Sequence, residues 1–329
     1  MGDNNYPHLR IAFIVASFPK ISETFIINQV ADLLDRGLDV EVFTLNADDD
    51  RSDENISPRY KQYGMEKRTY QLQRQCSKWQ KLIKATVVTF WLLFTRPMAL
   101  FRLGKIISRD RLQWSSLIHT LIRVKPFTRK SFDVFHCHFG DVAVDFLTIK
   151  EVLKLNTPIV TSFYGIDVSA IVKERPPIFY DKLKREGSLF FVMSENMKRR
   201  VVALGFPPER VIVHPVSINI DSYPFVERTY SPDRPVEIVS VGRLVEKKGF
   251  DDLLHALALV KQQSKQSFHC RIIGGGPLEK TLRDLTDRLN LNDEVQFTGF
   301  MRIDEIINLF LSTDMMVMPS KTAANGDME

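Results

Sequence analysis

The stretch that most restricts the fold begins with the apolar run Val236–Val241. It continues without a break into Gly242-Arg243-Leu244-Val245-Glu246-Lys247-Lys248-Gly249. An apolar run, a glycine at the turn, two cations five residues apart and a second glycine before an amphipathic stretch read as a strand, a tight loop and a helix N-terminus. Ligands of open α/β sheets sit outside the carboxyl ends of the strands. Arg243 and Lys248 stand at such an edge, and cations beside a helix N-terminus suit a diphosphate. Taken alone, the same residues also fit a surface loop with two solvated charges.

The same order of run, glycine and helix recurs along the chain. LRIAFIVA (9–16) is a continuous apolar strand, as central parallel strands are. A helix over 24–35, with Phe25, Ile26, Val30, Leu33 and Leu34 inward, leads to a strand at LDVEVFTL (38–45). That βαβ unit requires a right-handed crossover. FDVFHCHF (132–139) puts Val134, His136 and His138 on one side of a strand, with His138 at its carboxyl end and Gly140 closing it. IVTSF (159–163) runs into Tyr164-Gly165-Ile166-Asp167, where Gly165 permits a close backbone approach and Asp167 is placed to accept from a hydroxyl. Strands at 188–194 and 210–215 flank a helix at 195–204.

A linker with two prolines, TYSPDRP (229–235), separates this half from a second α/β series. Strands are expected at 237–241, 269–273, 294–297 and 314–318, with helices at 250–263, 278–289 and 303–311. The first of these helices turns Leu253, Leu254, Leu257 and Val260 inward. The reading is therefore α/β, with two Rossmann-like domains over 1–228 and 229–329 facing across a cleft. Gly274-Gly275-Gly276-Pro277 lets the backbone approach a ring or a phosphate, but lacks the G-x-G-x-x-G spacing of a dinucleotide site.

Charge is unevenly spread. Residues 65–130 hold 15 Lys/Arg against two acids, Glu66 and Asp110; this local +13 leaves −8 for the rest of a chain whose total is +5. The block also contains ATVVTFWLLF (85–94) and MALFRLGKII (98–107), both well short of the ~20 residues that span a bilayer. Two readings stand: a pair of helices packed on the domain, or an interfacial face. In the second, Lys/Arg meet an anionic membrane surface while Trp79, Phe90, Trp91 and Phe94 dip into the boundary. No nucleic-acid recognition motif accompanies the block, and no nucleic-acid partner is expected. Three scattered cysteines, Cys76, Cys137 and Cys270, fit a reducing compartment, and the N-terminal run is too short for a signal peptide. The expected location is cytoplasmic, or peripheral on the inner face of the cell membrane.

SFPKISETF, HCHFG, SFYGIDVS, VMSENMKRRVVALGFPPERVIVHPVSIN, VGRLVEKKGF, IIGGGPLEKTL and DMMVMPS…NGDME follow one another in order. In this the chain resembles the GT-B glycosyltransferases, specifically the family-4 retaining type of bacterial exopolysaccharide and lipopolysaccharide assembly. The resemblance implies transfer from a nucleotide-sugar to a lipid-linked or polysaccharide acceptor, with the donor as substrate, no cofactor and no metal. It implies donor binding by Arg243, Lys248, Gly242, Gly274, Gly275 and Glu329. His138 and Asp167 would be catalytic, and Ser22, Glu23, Tyr164 and Gly165 would lie on the acceptor side.

The sequence departs from the family pattern in three places. Tyr164-Gly165 replaces His-Gly, Ser217-Ile218-Asn219 replaces Gly-x-Asp, and the second glutamate of the Glu-x7-Glu motif is missing after Glu329. That last departure implies an incomplete second domain, a C-terminally truncated chain and weak nucleotide binding. A non-catalytic fragment and a nucleotide-sugar 2-epimerase relative are the competing readings.

Overall fold

A computed structural model describes residues 9–20, 23–46, 56–72, 77–110, 114–218, 220, 223–227, 231 and 233–327. Ser22, Asn219 and Glu329 lie outside them. The chain divides into two compact units, one of Met1–Arg51 and Pro58–Val216, the other of Ser52–Ser57 and Ser217–Glu329.

The first unit is built on β1 (Arg10–Val15), α1 (Thr24–Asp35), β2 (Asp39–Thr44), α2 (Pro58–Gln62) and β3 (Thr69–Gln71), then α3 (Lys78–Thr95), α4 (Pro97–Asp110) and α5 (Trp114–Val124). It continues through β4 (Val134–His138), α6 (Gly140–Leu153), β5 (Ile159–Ser162), α7 (Ala170–Glu174), α8 (Asp181–Glu186), β6 (Leu189–Val192), α9 (Glu195–Ala203) and β7 (Val211–Val213). All seven strands are parallel, in the order β3-β2-β1-β4-β5-β6-β7. Ala12, Phe13, Ile14 and Val15 of β1 are buried, because helices cover both faces of such a sheet. The order reverses between β1 and β4, where Phe13 pairs with His136. Crevices for ligands open at such switch points.

Two expectations change in this unit. The inward face of α1 is Ile26, Ile27, Val30 and Ala31, with Phe25, Leu33 and Leu34 half-buried. The basic block forms three helices rather than two. Ser77 starts α3 with a capping box: its hydroxyl accepts from Gln80 N while Gln80 Oε1 accepts from Ser77 N. Pro97 then opens α4, a position where its missing N–H costs nothing. These helices occupy the connection from β3, at the sheet edge, to β4 beside β1.

The second unit comprises β8 (Val236–Val241), α10 (Phe250–Gln263), β9 (Phe268–Ile273), α11 (Glu279–Arg288), β10 (Val295–Gly299), α12 (Ile303–Phe310) and β11 (Met315–Met316). Its parallel sheet runs β10-β9-β8-β11, so the reversal falls between β8 and β11. Phe250 and Ala258 join Leu253, Leu254 and Leu257 on the buried face of α10, while Val260 is exposed. The last strand is shorter than 314–318. Val317 N still donates to Val239 O, but Pro319 has no N–H with which to continue the ladder.

Candidate functional site

In the first unit the chemistry gathers at the β1/β4 reversal. His138 ends β4 fully buried, and its Nδ1 shares a hydrogen bond of 2.9 Å with the Tyr164 hydroxyl. The ring stacks on His136 at 4.5 Å and lies 4.7 Å from the Phe13 ring. Its other nitrogen, Nε2, is buried and without a hydrogen-bond partner. Burial holds this imidazole well below the ordinary histidine range, with a small contribution from His136, so the ring is neutral. His136 is likewise held down, to about 4, by burial and by His214; its Nε2 is 2.8 Å from Ser162 Oγ. A neutral ring with one unsatisfied nitrogen can give or take one hydrogen bond from a ligand.

Asp167 has a different task from the one its position in the sequence suggests. It is fully buried, and its two oxygens accept from Gly140 N at 2.7 Å and Tyr164 N at 2.8 Å. The carboxyl group therefore ties the loop after β5 to the first residue of α6, instead of meeting a hydroxyl at the rim. Burial pushes it up to about 8, against the pull of the Tyr164 and Gly140 amides. Tyr180 adds a third tie, donating from its hydroxyl to Asp167 O at 3.1 Å. Tyr164 is thus held by both its hydroxyl and its amide. Gly165 is half-buried and its carbonyl accepts from Ser169 Oγ. Glu23 precedes α1 and pairs with Lys20 at 3.0 Å.

Sequence reasoning missed Phe139. Its φ of 77° and ψ of 143° fall in a region that is essentially reserved for glycine and costs about 1–3 kcal/mol. The next residue has to be Gly140, because a Cβ there would lie 2.5 Å from the Phe163 ring and 2.9 Å from Tyr180. The strain sits directly beside His138.

In the second unit the site is the carboxyl edge of β8 and β11. Arg243 is exposed and makes no side-chain hydrogen bond or ion pair among the described residues. The aliphatic stem of Lys248 runs over Gly242, 3.3 Å from where a Cβ would stand. Other charges in the loop are committed to structure. Lys247 pairs with Asp327 at 3.2 Å, and Glu246 accepts from Ala324 N at 2.9 Å. Lys321 bridges Asp251 and Asp252 in the first turn of α10, at 2.6 and 2.8 Å. Asp327, as the partner of Lys247, closes this loop.

The glycines acquire a reason that involves no ligand. Gly274 has φ +132°, and a Cβ on it would lie 2.0 Å from the Gly242 carbonyl oxygen. One on Gly276 would lie 2.6 Å from Leu244 O, and one on Gly275 would lie 2.7 Å from the Phe300 ring. Gly249, at φ +65°, meets the Pro319 carbonyl at 2.0 Å in the same sense. Three loops therefore interlock by backbone contact, and the close approach read from GGGP is to the Gly242–Leu244 loop. Gly242 N donates to Ile273 O and Leu244 N to Gly275 O, which fixes the base from which Arg243 projects.

Residues 22–222 match the profile described as Glycosyltransferase Family 4, and 225–326 that described as Glycosyl transferases group 1. WcaL of Escherichia coli (strain K12), a glycosyltransferase named for colanic acid biosynthesis, is 31% identical over 326 residues, 98% of this chain and 78% of its own. The amylovoran biosynthesis glycosyltransferase AmsK of Erwinia amylovora is 30% identical over 328 residues with the same coverage. Among solved structures, Anabaena HepE in complex with UDP and glucose superposes with a TM-score of 0.60 at 17% identity, over 96% of this chain and 75% of that one. Sucrose-phosphate synthase of Thermosynechococcus elongatus gives 0.61 at 15% identity, over 95% and 75%.

Two parallel sheets, each reversing beside its first strand, together with these neighbours, define an α/β protein of the GT-B class. The chain belongs to glycosyltransferase family 4, among transferases of the exopolysaccharide type.

Proposed function

We propose that the chain transfers a hexosyl group from a nucleotide-sugar to a hydroxyl of a lipid-linked or polysaccharide acceptor, with retention of anomeric configuration. The observation that carries this reading is Arg243. It is an exposed guanidinium without an ion-pair partner among the described residues, held on an interlocked loop at the β8/β11 reversal beside Lys248. Cations fixed in advance at such an edge stabilise the charge that grows on a departing diphosphate. In the step, the acceptor oxygen bonds to the anomeric carbon as the bond from that carbon to the phosphate oxygen breaks. The acceptor proton passes to the departing phosphate, and the nucleoside diphosphate leaves.

His138 offers Nε2 to a sugar hydroxyl, while Asp167 acts on the reaction only by holding the Tyr164 and Gly140 amides in place. Glu23, Tyr164 and Gly165 form the acceptor side of the first unit. Ser22 and Glu329 belong to the same proposal.

UDP, which the HepE structure holds, is the probe for the donor site. Calorimetric titration should show UDP binding more tightly than UMP, and Arg243→Ala should weaken UDP about 10–100-fold, as loss of a charged hydrogen bond does. Equal binding of UDP and UMP, or an unchanged UDP affinity in the variant, would remove the diphosphate clamp. The anomeric configuration of the product, read by NMR, decides retention separately.

A further inference from the structure

Helix α3 carries an apolar face that the fold leaves uncovered. Trp79, Ile83, Val87, Phe90 and Phe94 are exposed, from 58% at Val87 to 82% at Phe94. Their spacing of three and four residues places them on one side of the helix. Ala85, Val88 and Leu92, which enter the core, lie on the other. Met98 and Phe101, each 56% exposed, add to it from α4, where Lys105 Nζ stands 4.6 Å from the centre of the Phe101 ring. Five aromatic or branched side chains turned to solvent on one helix exceed the scatter of single apolar residues found on ordinary surfaces.

Charge identifies what covers the face. Helices α3 and α4 together hold six Lys/Arg against one acid, Asp110, and Arg96 between them adds a seventh cation. At 3.6 residues per turn, Lys78 and Lys84 fall on the two flanks between the exposed apolar side and the core side. A second copy of the chain laid on this face would bring its own cations against these. An anionic lipid surface complements both the apolar centre and the basic flanks. No described helix is long and apolar enough to cross a membrane, so the face suits a helix lying in the plane of the interface.

We propose that α3 is an in-plane anchor for an anionic bilayer. Trp79, Phe90 and Phe94 sit at the boundary between headgroups and acyl chains, and Lys78 and Lys84 meet lipid phosphates. The proposal does not depend on the transferase reading, and its test needs no turnover.

The intact chain is mixed with vesicles of phosphatidylcholine alone, or of phosphatidylcholine with about one third phosphatidylglycerol, and bound protein is measured by sedimentation. Binding is expected to the anionic vesicles and to weaken with salt. Lys78→Gln/Lys84→Gln should lower the partition coefficient about 25-fold, each lysine contributing roughly fivefold. Trp79→Ser/Phe90→Ser/Phe94→Ser should lower it about 100-fold or more. Lipids brominated on the acyl chain should quench wild-type tryptophan emission, and Trp79→Phe should lose most of that quenching, a readout indifferent to the stability of the triple variant. The proposal is overturned by equal binding to both vesicle types, by no binding to either, or by undiminished binding of the triple variant. A lipid-free dimer that the triple variant abolishes would equally overturn it, assigning the face to contact between copies.

Discussion

The buried His138 and the half-buried His136 should make the first unit acid-labile in a way that can be measured. In the unfolded chain each imidazole takes up a proton as pH falls through about 6.5. In the fold His136 does so only near about 4, and burial holds His138 well below its ordinary value. The unfolded state therefore binds more protons across this window, and stability is lost as pH falls below about 6.5. For one ring that stays neutral, moving from about pH 7 to about pH 5 costs about 2 kcal/mol, and for two rings about 4 kcal/mol.

Asp167 works in the opposite direction. Its folded value of about 8 lies above the usual carboxylate range, so the fold binds the extra proton and stability rises as pH falls over the same interval. The wild-type profile blends the two slopes, and the difference between wild type and His138→Phe isolates the ring. Urea unfolding followed by tryptophan fluorescence suits the measurement, because the three tryptophans, Trp79, Trp91 and Trp114, all lie in the first unit. The stability advantage of wild type over the variant should shrink by about 2 kcal/mol from about pH 7 to about pH 5. Parallel profiles, with the difference constant to within about 0.5 kcal/mol, would show that the ring takes up its proton in the fold as it does in the unfolded chain and would refute the reasoning.

Asp167→Asn should destabilise the first unit by about 1–3 kcal/mol, since the NH2 of Asn cannot accept from a backbone amide where the second carboxyl oxygen does. The same change should remove the opposing slope, so that urea midpoints of the variant fall more steeply with acid than those of wild type. In the second unit Gly274→Ala drives a methyl group to 2.0 Å from the Gly242 carbonyl and should cost more than about 2 kcal/mol. Gly104→Ala, on α4 with nothing within 4 Å, should instead stabilise by about 0.5–1 kcal/mol; circular dichroism melts compare the two.

The strands were legible because a doubly covered parallel sheet demands apolar runs, and RIAFIV and VEIVSV announce themselves. The edge on which His138 and Arg243 stand followed from the same grammar. What stayed hidden depends on partners distant in sequence. Nothing near Asp167 shows that both its oxygens face backbone amides, one of them 27 residues away. Gly274 looked like room for a ligand because its neighbour, Gly242, is brought to it by sheet pairing and not by local pattern. Lys247, adjacent to Lys248, gave no sign that it pairs with Asp327, 80 residues on. The positive φ of Phe139 leaves no trace in composition, since the residue is one that rarely adopts it.

The connection between β3 and β4 has a consequence for how such chains can diverge. It leaves the sheet at its outermost strand and returns beside the first, so its length is not tied to any hydrogen-bonded register. Doubling a loop costs only about 0.6 kcal/mol of closure entropy. Here the segment has been filled with three helices while Phe13 still pairs with His136. It behaves as a cassette: its outward surface can change without disturbing the register of the strands it joins, or the strand end on which His138 stands.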